Sequence, residues 1–141
     1  MKGYLKLLSI VGVIVFLFLT AYTYDYIRMT GYEMGVYSIS PEEPVADVKQ
    51  PVEVKIKLTR DDKPVEGHTL FALAMDGGQM RGNRAITDKD GIATFTYIPY
   101  TENRLLPAKP VRIEVSDESN SVFIEVNAKF EFYINLKGKN S

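Results

Sequence analysis

An all-β antiparallel sandwich, preceded by one N-terminal transmembrane helix, is the fold class this sequence predicts, and three observations predict it. The chain opens with an apolar run that contains no charged side chain. Short stretches follow in which apolar and polar residues alternate, each bounded by Gly, Pro, Asp or Asn. No amphipathic helical repeat separates those stretches, which excludes alternating β/α architecture. At 141 residues there is room for one domain and an appendage. The reading divides the chain into a cytoplasmic start and membrane helix (1–30), a juxtamembrane linker with a possible first strand (31–50), and a sandwich with a long C-terminal strand (51–141).

The apolar run extends from Leu7 to Tyr24, LLSIVGVIVFLFLTAYTY, with hydroxyls as its only polar groups. As a helix it rises about 27 Å at 1.5 Å per residue, close to the hydrocarbon thickness of a bilayer. Lys2 and Lys6 flank its start, whereas Asp25 precedes the first cation, Arg28, at its end. The positive-inside tendency then keeps the N-terminus cytoplasmic and exports the rest. Tyr22, Tyr24 and Tyr26, with Lys6 at the opposite end, are candidate membrane-interface residues, because aromatic rings and lysine stems favour the headgroup layer. A cleaved signal peptide is the competing reading. Its cleavage chemistry is poor: Leu19–Thr20–Ala21 puts leucine at −3, and Ala21–Tyr22–Thr23 puts threonine at −1.

Gly31, Gly35, Pro41, Pro44 and Pro51 exclude a long helix from the next segment, in which Met34–Ile39 is a candidate strand. Glu42, Glu43 and Asp47 read as a solvated loop or stalk. Val52, Val54, Ile56 and Leu58 alternate with Glu53, Lys55 and Lys57, the signature of a half-buried strand. Thr59–Lys63 is turn chemistry, a second strand covers His68–Met75, and Asp76–Gly77–Gly78 ends it. Asp88–Lys89–Asp90–Gly91 predicts a tight turn before a strand over Ile92–Ile98. Val111, Ile113 and Val115 mark a further strand, followed by a turn at 117–121. From Val122 to Leu136 one parity stays apolar, a run so long that a bend or bulge is expected near Asn127. This spacing of short strands and turns is that of an antiparallel sandwich.

The segment Asp61–Asp62–Lys63–Pro64–Val65–Glu66–Gly67–His68–Thr69–Leu70, followed by Thr87–Asp88–Lys89–Asp90–Gly91–Ile92–Ala93–Thr94–Phe95, resembles bacterial Ig-like domains of the Big-1 type. It is also similar to carboxypeptidase-regulatory-like and transthyretin-like modules, which share the pattern D-x-x-P-V-x-G … T-D-x-x-G-x-A-x-F. The likeness covers roughly residues 50 to 128 and encodes two turns with the strands after them, so it speaks to fold rather than function. The resemblance implies a spacer, adhesive or assembly module and transfers no catalytic residue. A single copy with a short tail departs from a tandem adhesive stalk.

Net charge of −1 supplies no basic field for nucleic acid. With no Cys and only His68, the chain offers no disulfide, no thiol nucleophile and no histidine-rich metal site. His68 reads as an ordinary strand-edge residue. Asp88, Asp90, Glu102 and Asp117 match no calcium-loop spacing, Gly77–Gly78 and Arg81–Gly82 lack the ending of a phosphate loop, and no nucleophile elbow accompanies the lone histidine. The sequence therefore predicts no catalytic, cofactor or metal site and no small-molecule substrate. Tyr32, Tyr37, Phe130 and Phe132 are the candidate partner-contact residues. The function expected is a non-catalytic single-pass accessory subunit whose extracytoplasmic domain contacts other membrane-protein subunits beside the lipid bilayer. A surface adhesion or envelope-binding module is the alternative, and a metal-dependent sensor or enzyme a minor one.

Overall fold

The computed structural model describes residues 1–119, 122–123 and 127–140. The apolar run lies within one helix, α1 (Lys2–Met29), in which the Thr20 hydroxyl donates to the Phe16 carbonyl at 2.8 Å. That bond satisfies the hydroxyl within the helix, so it demands nothing of its surroundings. Thr30 leaves helical geometry with extended backbone, and Gly31, at φ +85°, redirects the chain into β1 (Tyr32–Ser40). Only Thr30 and Gly31 separate helix from sandwich.

The remaining strands are β2 (Val52–Arg60), β3 (Lys63–Pro64), β4 (Thr69–Ala74), β5 (Gln79–Met80), β6 (Arg84–Ile86), β7 (Ile92–Ile98), β8 (Pro110–Asp117) and β9 (Ala128–Asn135). One sheet has the order β1-β2-β7-β5 with β3 hydrogen-bonded to β2, and the other β6-β4-β8-β9. Pairing between these strands is antiparallel throughout. With β1, β2 and β7 on one side and β4, β8 and β9 on the other, the chain crosses between sheets in the Greek-key manner of an immunoglobulin-like sandwich.

Alternation decides the core. Val52, Val54, Ile56 and Leu58 of β2 are buried and face Val111, Ile113 and Val115 of β8 across the sandwich. Each such side chain contributes about 1.5–3 kcal/mol when fully buried. Both parities of β7 carry apolar residues, and the structure selects Ala93, Phe95 and Tyr97 for the interior. The apolar parity of the last strand also faces inward, through Phe132, Ile134 and Leu136. That strand is shorter than the sequence pattern: β9 begins at Ala128, after Asn127, while Val122 and Phe123 lie in a bend. Ile124, Glu125, Val126 and the Ser121 end of the expected turn lie outside the described residues.

Two turns are set by backbone chemistry. Asp61 and Asp62 both have positive φ, 51° and 61°, which closes the β2–β3 hairpin with the geometry of a type I′ turn. At Asp88, Oδ1 accepts the N–H groups of Asp90 (2.9 Å) and Ile92 (3.0 Å), and Gly91 has φ +73°. A Cβ on Gly91 would stand 2.5 Å from the Leu58 carbonyl oxygen, so glycine is required sterically as well as conformationally. The turn carries the chain from β6 in one sheet to β7 in the other.

Residues 31–50 hold the candidate first strand, Met34–Ile39 lying within β1, and the rest of the segment departs from the linker expected there. They are part of the sandwich rather than a linker: β1 pairs along β2, and Ala46 is fully buried in the core. After the cis Ser40–Pro41 peptide the chain crosses to the second sheet, where Val45 forms a parallel bridge to Lys137. The Ala46 N–H donates to the Lys137 carbonyl, and the Lys137 N–H to that of Pro44. Asp47 is likewise no stalk residue. It is buried, accepts the Lys49 N–H at 3.0 Å, and pairs with Lys139 at 3.4 Å.

Candidate functional site

Register fixes which loops lie near the helix. Tyr32 pairs with Arg60, Leu70 with Asp117, and Asp117 with Ala128, so the 61–62 turn, the 87–91 turn, Glu118, Ser119 and Asn127 share the end at which α1 enters. There the helix is docked. Asp25 is fully buried, and its two oxygens accept the backbone N–H groups of Val122 (2.9 Å) and Phe123 (2.8 Å). The Phe123 ring meets Tyr24 edge-on at 5.6 Å between centroids. An acidic side chain beside an apolar span is costly unless its charge meets donors, and two backbone amides provide them. The sequence signal for this contact was Asp25 itself, which charge-flank reasoning treats only as a topology marker.

The aromatic residues divide by helix face. Tyr22 and Tyr26 stack at 6.3 Å on one face, whereas Tyr24 faces Phe123 and lies under the Arg28 guanidinium, 5.7 Å from its ring centroid. Lys6 is exposed near the opposite end of α1.

Immediately above the helix, Tyr32 lies against the His68 ring (5.2 Å), and the Arg60 guanidinium sits 4.9 Å from the Tyr32 centroid. His68 Nδ1 is 2.8 Å from Oδ2 of the buried Asp117, whose Oδ1 accepts the Ser119 N–H at 3.0 Å. His68 is thus more than a strand-edge residue, because it partners a buried carboxylate. The neighbouring hydroxyls have structural duties: Thr87 Oγ1 accepts the His68 N–H, and Ser119 Oγ that of Thr69. Among the described residues no group of three or more His, Asp or Glu is placed to hold a metal.

The four residues expected at a partner surface separate. Tyr37 is 58% exposed at a bulge in β1, where the register with β2 shifts between Val36 and Ser38. Such a bulge re-aims its side chain, and Lys57 lies 5.9 Å from the Tyr37 ring centroid. Glu33, Val36, Tyr37, Lys57 and Thr59 line a shallow concavity on this outer face. Tyr32 is half-buried by the contacts above. Phe132 is only 9% exposed, and Phe130 packs against the core with its ring stacked on Phe132 at 5.7 Å. Phe132 is therefore a core residue, since its strand parity points it between the sheets.

No protein-family model matches the chain, and no curated protein matches it. Among solved structures it is similar to a C-terminal 282-residue fragment of intimin in complex with the intimin-binding domain of the translocated intimin receptor. That match has 17% identity and a TM-score of 0.47, covering 70% of this chain and 32% of the fragment. A conjugative transposon lipoprotein from Bacteroides eggerthii DSM 20697 is similar at 15% identity and TM-score 0.48, covering 75% and 98%. A lipoprotein from Bacteroides thetaiotaomicron is similar at 13% and 0.42, covering 75% and 80%. The immunoglobulin-like assignment follows from this chain's own strand order.

Proposed function

We propose that this chain is a non-catalytic, single-pass membrane accessory subunit, with α1 in the bilayer, its N-terminus cytoplasmic, and the sandwich making protein–protein contacts outside. One observation carries the reading: the sandwich is locked to its helix. Thr30 and Gly31 are too short for a stalk, and the Asp25 contact ties the bend between β8 and β9 to the same helix. α1 is long and apolar enough to cross a membrane, and its apolar side chains are exposed along the whole run. A domain held this way presents fixed faces at a fixed height, which suits a neighbouring subunit better than a distant ligand. β1 is an edge strand, and its outer face offers Val36 and Tyr37. Exposed edges of this kind accept a partner's strand or loop.

The test is photocrosslinking of the full chain in its own membranes, with benzoylphenylalanine at Tyr37, followed by gentle detergent extraction. A single adduct of defined mass, abolished by competition with excess untagged chain, is expected. Recovery of free monomer alone would remove the accessory-subunit reading. An adduct formed only after adding cells or wall material would favour an adhesive module instead.

A further inference from the structure

The Phe123 ring stands edge-on to Tyr24 of α1. It closes a shallow apolar groove with Leu17, Thr20, Ala21 and Tyr24, all within the run expected to lie in lipid. From Tyr24 back to Leu17 the helix descends about 10 Å at 1.5 Å per residue. Val122 is 54% exposed and Phe123 66%, and neither belongs to the sandwich core. Loop backbone inside a membrane is tolerated only where its polar groups are satisfied by protein. Here the N–H groups of both residues donate to Asp25. The apolar side chains and the satisfied amides therefore coincide at the same two positions.

We propose that Val122 and Phe123 form a second membrane contact, inserted beside α1 into the upper acyl-chain region of the bilayer, with Asp25 as the acceptor that permits insertion. The occupant of the groove is phospholipid acyl chain. Continuity argues for lipid, because the groove wall is the same helix face that carries the apolar run, and its rim is the tyrosine-bearing end of that helix. This inference rests on the spanning reading of α1. It adds a specific role for a loop that a simple tether would not need.

The chain contains no tryptophan, so a single introduced tryptophan reports alone. Full-length F123W, L17W and L105W chains are reconstituted separately into phosphatidylcholine vesicles, with or without bromine near the top of one acyl chain. Leu105 is 95% exposed in the loop before β8. That loop lies at the end of the sandwich away from α1. Quenching of F123W in step with L17W, with emission at shorter wavelength than L105W, is the expected result. If L17W is quenched while F123W behaves like L105W, the helix spans but the loop stays out of lipid, and the proposal is overturned. If neither L17W nor F123W is quenched, the spanning reading fails and the loop proposal falls with it. A partner helix filling the groove in the native complex would show as loss of F123W quenching when that complex, rather than the isolated chain, is reconstituted, and would also overturn it.

Discussion

Replacing Asp25 by alanine should release the 122–123 bend from the helix while leaving the two sheets intact. Among the described residues its two oxygens accept the Val122 and Phe123 N–H groups, at 2.9 and 2.8 Å. Hydrogen bonds to a charged group contribute about 1.5–3 kcal/mol each. The lower figure for both gives about 3 kcal/mol, or about a hundredfold in the local opening equilibrium. Asp25→Asn keeps one acceptor oxygen but loses the charge, and should fall between wild type and alanine. Amide hydrogen exchange on the full chain in detergent micelles reads this directly. The Val122 and Phe123 amides should lose about two decades of protection in Asp25→Ala. Amides of β8, such as those of Ile113 and Val115, should not change. Unaltered exchange at 122 and 123 would refute the clamp. Equal acceleration throughout β8 would instead show that Asp25 supports the whole domain.

Alanine at Gly67 and at Gly91 should differ, although both glycines have positive φ, +81° and +73°. Gly67→Ala meets open space and should cost about 1–2 kcal/mol of conformational strain, whereas Gly91→Ala adds the collision with the Leu58 carbonyl and should cost at least about twice that in denaturant unfolding. Acid unfolding should include Asp47, because the Lys49 N–H and, secondarily, Lys139 hold its carboxyl below the ordinary carboxylate range. A lowered folded-state value means its stabilisation is complete above the unfolded value of about 3.9 and disappears as pH falls through the folded one. Asp47→Asn should therefore flatten the stability curve below that pH. Tyr97 works at the alkaline limb: burial pushes its phenol well above the usual value, and its hydroxyl donates to the Gly77 carbonyl at 2.9 Å. Stability it supports should be lost as pH rises beyond about 10, and Tyr97→Phe should remove that loss at a cost of about 1 kcal/mol near neutrality.

Local patterns made much of the sandwich legible. Val52–Leu58 and Val111–Val115 alternate so strictly that strand, face and burial follow together, and the Asp88–Gly91 turn announced itself through residues that serve backbone geometry. What stayed hidden depended on distance in sequence. Residues 41–50 look like a stalk because prolines and acids dominate them, yet Ala46 is buried and Val45 bridges Lys137. Phe132 was a contact candidate because it sits on an unusually long apolar terminal strand, and pairing of that strand with β8 places its parity in the interior. The Asp25 contact joins positions 97 and 98 residues apart, and no periodicity encodes such a pairing. The His68–Asp117 pair, at 49 residues, escaped for the same reason.

The clamp also bears on whether the apolar segment is an anchor or a removed leader. Cleavage after Ala21 would leave Tyr22–Met29 as the whole remaining helix. Isolated helices shorter than about 12–15 residues are marginal in water. Such a stub would have to keep Asp25 aimed at the Val122 and Phe123 amides while having lost Leu17 and Thr20, which form the groove beside Phe123. Val122 and Phe123, 54% and 66% exposed and outside the core cluster, would then lie beside a fraying turn. On the proposed spanning reading, the intact turns before Asp25 fix the carboxylate, the carboxylate fixes the bend, and lipid would cover the exposed side chains. The proposed anchor and the 122–123 bend thus stand together, and a mature chain whose N-terminal sequence begins at Tyr22 would count against both.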